Sequence, residues 1–436
     1  MTLQFLYQIK KMGRLVRYLK VFSNLCIGTF IFTLALSNAY SFGDERVDLA
    51  VTNFLDSLTY NYKGFDIKLT EVSLRETYDD NIAFSKEDKL EDFITYAGFG
   101  LGMNYEGKIR TFKLTGEITD QIFAKQPSQN NITQYLNLNF TNEFSKRDRI
   151  SLSNSFSHFE APSSSDTGYF SAQFGRTAGR FEYFHNMFDL TYSNDVSKQI
   201  TCFVKYANEV NAFPGASTDD SFLGASRQDS LLNKLGVSMS YAFSPTDTIF
   251  SFSYDFTNIA FENDIDATIH TIGPGVRQFI TKKLIFNGGA GVDLINSYDD
   301  QNMTKLYVQS MLTYIIEEKT QAMLSFRKKY STNPYFVNIF NSWFISTSLT
   351  RKILKRLDGS LSAFYGDGKN VPTNFEGENV SSNFEQEFFG MSASFSYQIS
   401  KHLKGGFAYT YSQLDSNVEN SGYSKNTVIL GLSAKF

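Results

Sequence analysis

From about Phe65 to the C-terminus the chain repeats one pattern: apolar and polar residues alternate, then the chain turns. Alternation with period two places one residue set on each face of a β-strand. The clearest case is Thr248 to Thr257, where Phe250, Phe252, Tyr254 and Phe256 oppose Ile249, Ser251, Ser253, Asp255 and Thr257. Leu235, Val237, Met239, Tyr241 and Phe243 oppose Lys234, Gly236, Ser238 and Ser240 in the same way, and Phe389 to Tyr397 repeats it. A soluble sandwich uses strands of about five or six residues. These strands are nearer ten, enough to cross an apolar band about 25 Å tall at a tilt.

The turns alternate in length. Tight polar turns fall near Glu106-Gly107-Lys108, Ser145 to Asp148, Ser193 to Asp195, Ser244 to Asp247, Thr281 to Lys283, Glu317 to Thr320, Arg351-Lys352 and Ser400 to His402. Longer connections separate them: 78–91, 125–131, 160–179, 211–229, 262–266, 298–304, 329–341, 366–385 and 413–425. Short turns at one rim and long loops at the other are the rule for transmembrane barrels. The pattern predicts an all-β fold, a transmembrane antiparallel up-and-down β-barrel of roughly 16–18 strands. Pro274, between Gly273 and Gly275, predicts a bulge or kink in one strand. The last strand places Val428, Leu430, Leu432, Ala434 and Phe436 on one face, and a terminal Phe436 after such a strand resembles an outer-membrane assembly signal.

Composition fits this picture. The chain holds 43 Phe and 25 Tyr, yet its mean hydropathy is −0.26 and 20% of it is charged. Residues 1–39 read as a signal peptide. Lys10, Lys11, Arg14, Arg17 and Lys20 form a basic region before the apolar run Val21 to Leu36, and Ser37-Asn38-Ala39 supplies a cleavage site near Ala39. That run is short of the roughly 20 residues a spanning helix needs. Residues 40–63 would be a short periplasmic segment, too small for a plug domain, and 64–436 the barrel. Cleavage would leave 36 basic and 45 acidic residues, a net charge of −9, which disfavours nucleic acid as a partner. It would also leave Cys202 as the one cysteine, a filler on a lipid-facing position with no internal disulfide partner.

Alternation points Lys113, Glu117, Asp189, Lys205, Lys234, Asp255, Arg277, Asp293, Arg327 and Asp358 into the lumen. Rings of such charge set ion preference in channels, but five basic and five acidic residues define none, and ion pairs bracing the wall fit equally. Tyr96, Tyr105, Tyr192, Tyr241, Trp343, Tyr365, Tyr397 and Tyr411 lie near strand ends, where aromatic girdles form. His158, His185, His270 and His402 lack metal-ligand spacing, so no metal site or cofactor is expected. Ser157-His158 is the one adjacent Ser–His pair, and a serine-rich strand produces such neighbours by composition. No enzyme is expected.

The segment Glu76-Thr77-Tyr78-Asp79-Asp80-Asn81-Ile82, then Asp92-Phe93-Ile94 and the glycine-rich Ala97 to Gly102, resembles the β-barrel porin 2 family, whose members carry a Tyr-Asp-Asp-Asn element and an aspartate-led strand. The resemblance implies a pore-like outer-membrane barrel, and in some relatives a link to exopolysaccharide secretion. It implies no catalytic residue. Asp79, Asp80 and Asn81 are either oxygen ligands for calcium, which needs six to eight, or a turn whose side chains cap their own backbone, the better reading. The expected function is a porin-like channel for small hydrophilic solutes or for exopolysaccharide export. Its partners would be outer-membrane lipid, the assembly machinery and a polysaccharide. The alternative is a plugged barrel acting as a structural or surface-interaction protein.

Overall fold

The structure is a computed structural model. It describes residues 60–62, 64–160, 182–214, 229–244, 248–261, 267–297, 302–333, 338–370, 385–417 and 422–435. The expected signal peptide and its cleavage site, residues 40–59 and 63 of the expected periplasmic segment, and Phe436 lie outside the described residues.

Nineteen strands follow one another: β1 (Tyr60–Tyr62), β2 (Phe65–Asp79), β3 (Asp92–Glu106), β4 (Arg110–Phe123), β5 (Asn131–Glu143), β6 (Asp148–Phe159), β7 (Tyr183–Asp195), β8 (Ile200–Ala212), β9 (Ser230–Ser244), β10 (Thr248–Phe261), β11 (Ala267–Phe279), β12 (Leu284–Ser297), β13 (Asn302–Glu317), β14 (Thr320–Asn333), β15 (Asn338–Leu354), β16 (Leu357–Asn370), β17 (Glu385–Gln398), β18 (Leu403–Ser416) and β19 (Tyr423–Lys435). From β2 to β19 each pairs antiparallel with the next, and β19 pairs back onto β2 from Thr427↔Asp79 to Lys435↔Glu71. The result is a closed barrel of eighteen strands, with β1 a three-residue addition against β2. Closure leaves no unpaired strand edge, which a wall in hydrocarbon requires.

The alternation read from sequence is the register of the barrel. Leu235, Val237, Met239, Phe250 and Phe252 are exposed apolar residues on the outer face. Ser238, Ser240, Ser251 and Ser253 occupy the inner face of the same strands. Cys202 pairs with Met239 and so shares the outer face. The eighteen barrel strands, β2 to β19, run from 12 to 17 residues, longer than expected. They extend at both ends: at the long-loop end the connection expected over 329–341 shrinks to 334–337. The tight turn expected at Arg351-Lys352 is at Lys355-Arg356, because β15 continues to Leu354. Pro274 does not shift the register: Ile272↔Val292 and Gly275↔Gly289 belong to one ladder, interrupted only at Gly273-Pro274. Register shifts fall instead at Leu69/Glu71, Thr248/Ile249, Ile315/Glu317 and Lys352/Leu354, all toward the short-turn rim, where bulges commonly re-aim a barrel wall.

Four short turns share one construction. Ser145, Ser197, Thr281 and Ser400 each place a hydroxyl oxygen where backbone N–H groups two or three residues ahead donate to it. Such a local acceptor offers the chain a tight reversal in place of more strand.

Candidate functional site

The inner wall and its mouth carry the candidate chemistry. Lys205, Asp255 and Asp293 lie on one cross-strand row, Lys205↔Gly236↔Asp255↔Thr271↔Asp293↔Lys305. Lys234, one inward position along β9, pairs with Asp255 at 3.0 Å. Thr271 donates to Asp293 at 2.7 Å, and Asp293 is buried. Arg327 stands opposite Gln309 on β13, and Arg277 lies against the Phe279 ring. Lys113 and Glu117 on β4, Asp189 on β7 and Asp358 on β16 occupy the same inner face at separate places. Among the described residues, Lys234–Asp255 is the one ion pair these ten make.

Three inner-wall residues of this region fell outside the sequence reading. Lys305 and Lys329 sit where the expected loops meet β13 and β14, and became visible once those strands lengthened. Lys329 lies within electrostatic reach of Arg327, Glu209, Lys234 and Asp293, so the charges of β8 to β14 act on one another. The third, Tyr307, lies close against Gly273 and Gly291, and a Cβ on Gly291 would come within 2.1 Å of the Ile272 carbonyl oxygen and 2.5 Å of the ring. Only glycine permits that approach. The signal for it was the glycine pair, whose cross-strand partner needed the register.

The mouth is organised by the Tyr78-Asp79-Asp80-Asn81 element. Asp79 accepts the Asn81 N–H at 3.0 Å, a turn closed by its own side chain. Its other oxygen meets Lys425 Nζ of β19 at 2.6 Å, both side chains 6% exposed. Asp80 takes the Asn426 backbone N–H at 2.6 Å and its side-chain amide at 2.7 Å. Asn81, fully buried, donates to the carbonyls of Ser85 and Ser424 and accepts the Ser85 N–H. The element therefore bolts loop 80–91 to the strand that closes the barrel. Ile82 packs against Ile94, Phe123 and Tyr96, while Phe84 packs against Phe364, Phe388, Leu414 and Tyr423. Phe84 has a left-handed backbone, φ 51°, which costs a bulky residue about 1–3 kcal/mol. Burying its ring, under Lys425 Nζ at 3.9 Å, offsets a strain of that size.

Asp92 serves the next loop. Its carboxylate accepts the backbone N–H groups of Lys125 and Gln126, each at 2.8 Å. Glu91 pairs with Lys125 and accepts the Tyr78 hydroxyl. The Lys125 ammonium, then the Tyr78 hydroxyl, hold its carboxyl below the ordinary glutamate value.

The structure also places the residues behind the weaker readings of three sequence candidates. Asp79, Asp80 and Asn81 turn to three different partners, one of them an ammonium, and do not converge on a cation position. Among the described residues no group of three or more His, Cys, Asp or Glu is placed to hold a metal ion. Ser157 faces inward opposite His185, whereas His158 faces outward, bonded to Glu182 and stacked on Phe184. Neighbours in the chain, Ser157 and His158 lie on opposite sides of the wall. Tyr96, expected in a girdle, points inward beneath Arg75 at 4.0 Å. Trp343, Tyr365 and Phe326 cluster on the outer face near the long-loop rim.

No family model matches the chain, and no curated protein matches it. Solved structures do share its form. The siderophore receptor PirA from Acinetobacter baumannii aligns over 84% of this chain and 80% of its own, at 8% identity and TM-score 0.45. The FrpB iron transporter from Neisseria meningitidis aligns over 88% and 83%, at 9% identity and TM-score 0.45. The alcaligin outer membrane receptor FauA from Bordetella pertussis aligns over 84% and 76%, at 10% identity and TM-score 0.41. At these values the likeness fixes no relationship.

Proposed function

We propose that the chain is an outer-membrane, porin-like channel, akin to the β-barrel porin 2 family, that passes small hydrophilic solutes or assists exopolysaccharide export and catalyses no reaction. The observation that carries this reading is the exposure of inward charges around an eighteen-strand wall: Lys113, Glu117, Lys205, Arg327 and Asp358 all remain exposed. A barrel of that strand number encloses more room than its side chains fill. In this reading the apolar outer face meets outer-membrane lipid, the short turns face the periplasm and the assembly machinery delivers the chain. Single-channel recording of the refolded mature protein in a planar bilayer tests it. Stable unitary steps are expected; a folded barrel without them overturns the passive pore.

One observation favours a second reading, a plugged structural or surface-interaction barrel. The mouth holds apolar clusters on its inner side, Phe84 with Phe364, Phe388 and Leu414, and Ile259 with Ile269 and Ile295. Such clusters narrow an aqueous path, and a silent bilayer is what this reading expects.

A further inference from the structure

Charge is divided between the two rims. In the sequence, the nine long connections (80–91, 124–130, 160–182, 213–229, 262–266, 298–301, 334–337, 371–384 and 417–422) carry eighteen acidic and six basic residues. The eight short turns carry ten basic and two acidic. A chain of net negative charge thus concentrates positive charge at its short-turn rim, and all seven short turns described in full contain Lys or Arg.

Four of these turns repeat one element: Phe144-Ser145-Lys146, Val196-Ser197-Lys198, Ile280-Thr281-Lys282 and Ile399-Ser400-Lys401. The apolar residue continues the outward face of its strand, and stays open at 64%, 54%, 54% and 40% exposure respectively. The hydroxyl closes the turn on its own backbone, as described above. The lysine that follows is exposed, and among the described residues none of the four makes an ion pair. The hydroxyl explains the turn, but neither an open apolar side chain nor an unpaired lysine is needed to make one. Together they match a membrane boundary, with the apolar group among acyl chains and the ammonium among headgroup phosphates.

We infer that the short-turn rim is a collar that binds anionic phospholipid headgroups of the leaflet it faces. The collar supplies about one cationic contact per hairpin around the barrel. Its attraction falls off within a Debye length, so it acts on headgroups in direct contact rather than on distant charge. A free acidic protein would meet the same charge, but would leave the outward apolar members of the repeat uncovered.

The test is native mass spectrometry of the folded barrel, released from micelles containing equal phosphatidylglycerol and phosphatidylcholine. Wild type is expected to retain phosphatidylglycerol in excess. The K146E/K198E/K282E/K401E variant is expected to bring the ratio to parity or below, while K86E/K89E on a long loop leaves it unchanged. If the glutamate set does not refold, K146Q/K198Q/K282Q/K401Q carries the same expectation of lost preference. Equal retention of both lipids by wild type overturns the proposal, as does a preference that survives either four-site variant. The outcome does not depend on conductance, so it stands or falls apart from the channel reading.

Discussion

At the residue scale the decisive contact is Asp79–Lys425, a nearly buried ion pair across the closing seam. Removing one partner leaves the other charge unpaired, and such losses run to about 3–5 kcal/mol. Lys425→Met is therefore expected to lower stability by that order in urea unfolding from lipid vesicles, and Lys425→Met with Asp79→Asn to recover most of it. Equal losses in the single and double variants would show that the charge is not what matters there. Glu91 gives a second residue-level expectation. Its folded carboxyl lies below the ordinary value because of Lys125 and Tyr78. The clip between loops 80–91 and 124–130 is then fully present above the ordinary glutamate pKa and is lost as pH falls through the lower folded one. Hydrogen exchange in both loops should rise on acidification below about pH 4, and Glu91→Gln should remove the pH step. The sequence marked Asp79, Asp80, Asn81 and Asp92 as a motif but not their partners. Ser424, Lys425 and Asn426 lie more than three hundred residues away, and only barrel closure brings them near.

At the element scale, period-two alternation made the strands legible, because each residue has one side of the wall to face and lipid tolerates few polar ones. Strand ends were less legible. Above the lipid band both faces meet water, so alternation fades while the ladder continues, which is why β14 and β15 outrun their expected limits. Tyr96 failed for a related reason: a tyrosine near a strand end suits a girdle or an inner wall, and only its parity with buried Ile94 decides. The glycines of the inner wall offer a test of close packing. A Cβ at Gly291 meets the fixed Ile272 carbonyl at 2.1 Å, whereas one at Gly236 meets the mobile Asp255 carboxylate at 2.2 Å. Gly291→Ala should force the ladder apart at a cost of about 1–3 kcal/mol. Gly236→Ala need only displace a part-exposed ion pair, at most about 1 kcal/mol. Urea midpoints for the two variants check this; the opposite ranking would place the tight contact elsewhere.

At the scale of the whole molecule, the barrel carries exposed charges on its inner wall and apolar clusters at its mouth, one of them built on loop 80–91. Loop 80–91 lies packed on the inner wall. Ile82 and Phe84 are each 1% exposed against the inner faces of β3, β4 and β16 to β19, and Asn81 staples the loop in place. On the channel reading proposed above, a constriction set by this loop makes conductance depend on the staple rather than on the lumen charges alone. Asn81→Ala removes three hydrogen bonds whose partners lie on the loop and on β19. Each such bond contributes about 1 kcal/mol, so the loop should leave its seat often while the barrel wall, held by its own ladder, persists. The expected record is larger unitary steps or frequent transitions to a larger level, with unchanged heat-modifiable mobility of the folded barrel on gels. Lys113→Gln, on the exposed inner face away from this loop, should leave step size nearly unchanged. If Asn81→Ala keeps the wild-type step, the narrowest point lies deeper, and the charged row of β8 to β14, with Arg327 and Lys329 on the inner face of β14, becomes the place to look for it.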